Sequence, residues 1–205
     1  MNAAAPKLVL ASQSPRRAEL LTQMGLPFEV VVADIDESRQ AGESPHAYVE
    51  RLAVGKAETG WALAGEDAVV IGADTVVVLE GEILGKPANV EASREMLEAL
   101  SGRVHTVFTG VHVYTGERGL SAVVQSDVTF RKLSAYDIEQ YCLTGEGADK
   151  AGSYGIQGIG GILVERIEGS FSAVMGLPVL ETERLLRELD IDTWSMRSRW
   201  QKNSL

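Results

Sequence analysis

The residues of this chain that could do chemistry together are two small sets of opposite charge. Arg16, Arg17, Lys56 and Lys86 are cations able to neutralise a polyphosphate. Asp36, Glu37 and Asp74 are carboxylates able to hold a hard divalent ion through oxygen, as Mg²⁺ prefers. A metal shared by carboxylate and phosphate oxygens withdraws charge from phosphorus and acidifies its bound water. Alternatively, one carboxylate takes a proton from that water directly. Charged residues at the ends of apolar segments are also common in any α/β protein, so the pattern by itself leaves both readings open. Other chemistries find less support. With one cysteine, Cys142, there is no metal–thiolate pattern, and no histidine stands beside it to activate it. His46, His105 and His112 are scattered and read as structural or exposed. Ser12 and Ser14 lack the glycine-flanked elbow that raises a nucleophilic serine.

The elements that must position these groups begin at Leu8–Ala11, an apolar run that reads as a buried strand. Ser12-Gln13-Ser14 follows as a polar loop. Pro15 suits the first position of a helix, and Ser14 is placed to cap it through its hydroxyl. Arg16 and Arg17 fall in the first turn, where the helix dipole disfavours positive charge. An anion on the helix start would cure that conflict, since free N–H groups, serine hydroxyls and guanidinium forks together cradle phosphate. The plainer reading is a strand-to-helix turn whose arginines point to water. The helix continues to Met24, with Gly25 ending it. Phe28–Val32 is a second strand that ends in the carboxylate-rich stretch Asp34-Ile35-Asp36-Glu37.

Ser44-Pro45 repeats the cap-and-proline signal and opens a helix to about Gly60, with Val49, Leu52, Ala53 and Ala57 inward. Lys56 lies at the edge of that face, so it either snorkels to the surface or points into a cleft. Ala68–Leu79 is the most apolar segment and reads as a central strand on both sides of Gly72. Asp74 interrupts it. A carboxylate buried there must be paired, hydrogen-bonded or metal-bound; the other reading is a surface loop between two short strands. After the turn Glu80-Gly81-Glu82, a return strand leaves Lys86 at its end, before Pro87.

Further along, Asn89–Leu100 is an amphipathic helix, and His105–Thr115 pairs with Ser121–Leu133 as strands. Ser134 with Asp137 resembles a capping box that starts a helix carrying Ile138, Tyr141 and a core Cys142. The stretch Asp149–Gly161 holds five glycines in ten residues, which allows backbone to approach something flat or charged closely. It is no dinucleotide fingerprint. Gln157 in it carries both a donor and an acceptor, which suits a base edge. Ile162–Ile167 reads as a strand and Pro178–Leu189 as a closing helix with Leu180, Leu185 and Leu189 apolar. From Ile191 the chain reads as a mixed tail that Trp194 and Trp200 could dock.

At 205 residues, 45% hydrophobic and 23% charged, the chain can bury a real core. A net charge of −10 argues against a general nucleic-acid binder, so no stable nucleic-acid partner is expected. Met1–Lys7 carries no apolar leader pattern, and no apolar run reaches the roughly 18 residues of a membrane span, so no membrane partner is expected.

In one order along the chain stand LASQSPRRAELL, DIDES, RLAVGKA, GADTVV, GKP, SGRVHTVFTG, DKAGSYGIQGIGG and MGLP. From about Lys7 to Leu189 this resembles the Maf family of nucleoside triphosphate pyrophosphatases. The resemblance implies a single Maf-like domain over residues 1–205, with 190–205 as a C-terminal tail. Its fold would be α/β, two lobes around a long curved mixed sheet with an interlobe cleft, similar to inosine triphosphatases. It implies hydrolysis between the α- and β-phosphates of a nucleoside triphosphate, a divalent metal cation (Mg²⁺ or Mn²⁺), a cytoplasmic location and a homodimer. Carried over residue by residue, the proton acceptor falls on Asp74 and the assisting acid on Glu37, which together would hold the metal. The phosphate-contacting residues fall on Ser12, Arg16, Arg17, Lys56 and Lys86. Base choice falls on Arg16, Thr75 and Gln157. SPRR, GADT and YGIQG resemble the branch acting on dTTP and UTP, with modified pyrimidine nucleotides as further substrates. The alternatives are the 7-methyl-GTP branch and a non-enzymatic regulator of septum formation. Val54-Gly55 departs from the family's charged residues before the lysine, which implies a helix weaker by about 1 kcal/mol for the glycine. SAVMGLP departs from the more usual NVVGLP.

Overall fold

The structure, a computed structural model, describes residues 6–203, with side chains as far as residue 198. Most of the Met1–Lys7 stretch and the side chain of Trp200 therefore lie outside the described residues. Among them, seven strands form one mixed sheet in the order β2-β1-β3-β5-β6-β7, with β4 paired to β3. β1 (Lys7–Ala11) is parallel to both β2 (Glu29–Val31) and β3 (Ala68–Leu79). β4 (Glu82–Leu84) and β7 (Val164–Glu168) run antiparallel to β3 and β6. The chain divides into two units. One comprises Met1–Asp74, Thr109–Val123 and Gly176–Leu205, the other Thr75–Phe108 and Val124–Met175.

In the first unit, β1 and the first half of β3 are apolar on both faces, as strands covered on both sides must be. The helix α1 (Pro15–Gln23) follows β1, and α2 (Pro45–Ala64) precedes β3. α2 is 20 residues long and runs unbroken through Gly55 and Gly60, further than the sequence suggested. It packs by removing side-chain bulk at its crossings. A Cβ at Gly72 would stand 2.6 Å from Ala57 N and press on Ala53 O. One at Gly110 in β5 (Val104–Tyr114) would stand 2.5 Å from Val49 O. One at Gly60 would stand 2.6 Å from Ala11 Cβ. Gly72 thus marks a helix laid directly on a continuous strand, and the surface-loop reading of this segment falls.

The C-terminal part of this unit differs from expectation. α6 (Val179–Glu188) buries Thr182, Leu185 and Leu186, with Leu189 just past its end. Leu180 lies off that i, i+3, i+4, i+7 stripe and is 55% exposed. The mixed tail is a helix, α7 (Thr193–Asn203). Met196 and Arg197 dock it, not Trp194, which is exposed. Arg197 donates to Met24 O at 2.7 Å and to Glu183 Oε2 at 2.7 Å.

The second unit holds the end of β3, β4, α3 (Val90–Leu100), parts of β5 and β6 (Gly119–Phe130), α4 (Ala135–Leu143), β7 and α5 (Phe171–Met175). The Ser134–Asp137 capping box is present on α4, and Cys142 is buried beside Ser93. β7 starts only at Val164, because Ile159–Leu163 is wound into a 3₁₀ turn that takes Ile162 with it. α5 had no counterpart in the sequence reading; its five residues are too few to show a helical period.

Candidate active site

Asp74 and Lys56 meet because of how α2 sits on β3. Residues two apart on a strand share a face. Gly72 and Asp74 therefore point the same way, toward α2. Gly72 lets the helix in at Ala53 and Ala57, and Lys56, next to Ala57, reaches the carboxylate beyond. Lys56 Nζ lies 2.7 Å from Asp74 Oδ1. The two side chains are only 10% and 11% exposed, so Lys56 does not snorkel to the surface. The same ammonium lies 2.7 Å from Glu37 Oε1, on the acidic stretch after β2. One buried cation thus joins the two carboxylates that the resemblance singled out.

Ser12, just past β1, is buried. Its Oγ accepts from Ser14 N at 3.1 Å and from Arg17 Nη1 at 3.2 Å. Arg17 Nε donates to Gly176 O at 2.8 Å, which ties α1 to the turn before α6. The dipole conflict at the start of α1 is thus partly met by neutral oxygen acceptors of the protein. Ser14 stands at the N-cap position but makes no side-chain cap bond. Its backbone N–H is engaged by Ser12 instead, so the cap expected of its hydroxyl is absent. Burial pulls the Arg17 guanidinium below the ordinary arginine value, opposed by the field of Asp74; Arg16 adds to the fall and Glu37 opposes it. Arg17 thus lies within the electrostatic reach of Asp74, Arg16 and Glu37. Arg16 is half-buried beside Arg17 on α1.

Six predicted residues, Ser12, Arg16, Arg17, Glu37, Lys56 and Asp74, therefore belong to the first unit, and three belong to the second. Thr75 follows Asp74 on β3 and is half-buried. Lys86 is exposed two residues beyond β4, not at its end. Gln157 is exposed on the glycine-rich segment. Asp36 does not join the cluster. Its Oδ1 accepts from Ser38 N at 2.8 Å, and the Ser38 hydroxyl, with that backbone bond second, lowers its carboxyl below the usual range. Among the described residues, no group of three or more His, Cys, Asp and Glu side chains is arranged to hold a metal.

Three of the five glycines near Gln157, Gly155, Gly158 and Gly160, meet an internal anion, whereas Gly152 packs on Val77 and Gly161 on the Ile156 carbonyl. Glu146 Oε1 accepts from Tyr141 Oη and Gly160 N, each at 2.8 Å, and Oε2 accepts from Ile159 N at 2.8 Å. A Cβ at Gly158 would press on Glu146 Oε2 and stand 2.8 Å from its Cδ. Burial disfavours the Glu146 charge, yet the N–H groups of Gly160 and Ile159 and the Tyr141 hydroxyl hold its carboxyl below the usual range. The close backbone approach read from the glycines is thus made to Glu146, which shapes the turn that carries Gln157.

Sequence reasoning missed Tyr48. Its hydroxyl donates to Glu37 O at 2.8 Å, and burial together with Asp74 and Glu37 raises its own pKa. Its position on α2, eight residues before Lys56, was the available signal: two helical turns place both over the same ground.

Residues 7–189 match the Maf-like protein family. The dTTP/UTP pyrophosphatase of Pseudoalteromonas atlantica is 52% identical over 187 residues, 90% of this chain and 97% of that protein. Its counterpart in Vibrio parahaemolyticus is 54% identical over 88% of this chain and 96% of its own. That in Methylococcus capsulatus is 50% identical over 91% and 93%. Among solved structures, the Ham1 protein of Staphylococcus aureus aligns at 17% identity with a TM-score of 0.42, over 63% of this chain and 72% of that one. With the family pattern spanning nearly every element from β1 to α6, the chain belongs to the Maf-like protein family.

Proposed function

We propose that this protein hydrolyses dTTP and UTP between the α- and β-phosphates, releasing the nucleoside monophosphate and pyrophosphate. The observation that carries the chemistry is the buried Lys56 joining Asp74 and Glu37, with Arg17 within reach. The choice of nucleotide is supported by relatives named dTTP/UTP pyrophosphatases at 50 to 54% identity over nearly their whole length. In this reading Ser12, Arg16, Arg17 and Lys86 bind the triphosphate. Asp74 takes the proton from the attacking water as oxygen bonds to phosphorus and the α–β bridge breaks, and Glu37 assists. Lys56 holds both carboxylates in register and offsets charge on the phosphates. Thr75, Gln157 and Arg16 read the pyrimidine.

The donor set fits a hard divalent cation such as Mg²⁺ or Mn²⁺. Lys56 takes up Asp74 Oδ1 and Glu37 Oε1, so the second oxygen of each carboxylate would be the donor to an ion beside the lysine, and Mg²⁺ is commonly held by one or two carboxylates plus substrate phosphates. Bound there, such an ion would supply Lewis-acid polarisation of the phosphate oxygens. The single family match over residues 7–189 supports one Maf-like domain across both units. A homodimer and a cytoplasmic location complete the proposal. No described helix is long and apolar enough to cross a membrane.

Pyrophosphate release from a panel of natural and modified nucleotides, with Mg²⁺ and Mn²⁺ in turn, tests the reading. The kcat/KM ratio should favour dTTP and UTP, since pocket contacts set that ratio. Preference for 7-methyl-GTP would transfer the protein to that chemistry, and no release from any nucleotide would remove the enzymatic reading. Asp74→Asn should abolish release with the fold intact by circular dichroism. Near wild-type turnover would sink the proposed mechanism.

A further inference from the structure

Glu37 reaches Lys56 from an irregular segment with no secondary structure of its own, residues 32–44 between β2 and α2. Something must hold that segment, since its side chain is 54% exposed. The bonds come from α2. Tyr48 Oη donates to Glu37 O at 2.8 Å. Arg51, one turn on, donates Nη2 to Ser38 O at 3.0 Å, the next carbonyl along. Its fork also grips Glu43 from both sides, Nε to Oε1 at 2.6 Å and Nη2 to Oε2 at 2.8 Å. Glu43 in turn accepts from Gln40 N at 3.0 Å, and its carbonyl takes the Arg39 side chain at 2.9 Å. The Glu43 side chain is 8% exposed, so this is not a loose surface pair. Arg51 holds its carboxyl well below the usual range, at about 2.

We infer that Tyr48 and Arg51, with Glu43, are positioning residues that fix the backbone at Glu37 and Ser38 and so aim the Glu37 carboxylate at Lys56 and the reacting phosphates. The inference rests on the proposed pyrophosphatase reading. Tyr48, Arg51, Lys56 and the crossing at Gly72 all lie on or against one rigid helix. α2 therefore ties the segment carrying Glu37 to the strand carrying Asp74, and a displacement of order 1 Å at such a point can cost about 100-fold in rate.

The test combines turnover with hydrogen exchange on the full-length protein. Tyr48→Phe removes one hydroxyl and should lower kcat about tenfold with KM for dTTP little changed. Arg51→Met should lower it about 100-fold, and Arg51→Lys should recover part of the loss, since a lysine keeps the charge but not the fork. In a Glu37→Gln background, Tyr48→Phe and Arg51→Met should have no further effect on kcat. Effects that multiply in that background would overturn the inference, because the two residues would then act by some other route. Exchange reads the clamp without turnover. Arg51→Met should deprotect the amides of Ser38 and Gln40 while α2 keeps its protection; unchanged protection of those amides would overturn it too. If the wild type released no pyrophosphate although the amides responded, the proposed function would fail and the clamp would stand as a structural device.

Discussion

Lys56 and Arg17 show how a charge becomes useful only through what it is bonded to. An ammonium this buried costs several kcal/mol to desolvate, and Asp74 and Glu37 are what offset it. Arg17 is held by two directions of its planar fork, toward Ser12 Oγ and Gly176 O. A lysine offers no such fork. Arg17→Lys should therefore lower stability by about 1 kcal/mol and raise KM for the nucleotide about tenfold. Thermal unfolding and steady-state kinetics check the two parts separately. A lowered Tm with unchanged KM would assign Arg17 to the scaffold alone.

Among the elements, α2 carries the most. It supplies Lys56, clamps the segment before it through Tyr48 and Arg51, and crosses β1, β3 and β5 at glycine or alanine. Gly72→Ala places a methyl against the helix backbone at Ala53 O and Ala57 N, atoms that cannot turn aside. It should destabilise by about 3 kcal/mol. Because the helix must lift where Lys56 meets Asp74, kcat should fall by more than the lost stability explains. Urea unfolding with kinetics at saturating dTTP measures both, and wild-type values in both would mean the crossing is looser than it stands. Gly55 has a different place. A Cβ there would meet Ile35 Cδ1 at 3.3 Å, so the glycine makes room for Ile35 two residues before Glu37. The helix weakness expected from Gly55 accompanies a seat for the acidic segment.

Across the whole molecule, acid stability turns first on the buried histidines. Burial lowers His105 to about 4, against the opposing field of Asp127. Its ring sits between Phe130 and Tyr154, with Nε2 2.8 Å from Tyr154 Oη. The folded value lies below the unfolded one, so the unfolded chain binds the proton first. The stability from neutral His105 is complete above about pH 6.5 and is lost as pH falls toward 4, about 3 kcal/mol in all. His112, also lowered by burial, adds in the same direction. The Glu43 carboxyl acts further down, with its contribution lost between about 4.5 and 2. Urea midpoints measured from pH 7 to 4 should fall, and the slope should flatten in His105→Gln. A flat wild-type profile would contradict a neutral buried ring.

The chain's order of residues determined most elements by itself. Hydrophobic period and cap chemistry placed β1, α1, α2, β3, α3 and α4, because those signals act between near neighbours and survive without a fold. It also named Asp74, Glu37, Lys56, Ser12 and both arginines through the family resemblance. Only the tertiary structure decided what they touch. Whether Lys56 snorkels or turns inward depends on Gly72, sixteen positions later, letting the helix down onto β3. Asp36 and Glu37 are neighbours of one charge, yet one closes a local turn and the other reaches a lysine nineteen residues on. Tyr48 and Arg51 bond to backbone carbonyls, which carry no side-chain signature to be read in advance. The glycines around Gln157 announced a close approach, but not that the group approaching Gly158 and Gly160 would be Glu146. Spacing fixes which face a side chain takes; only packing fixes what stands opposite it.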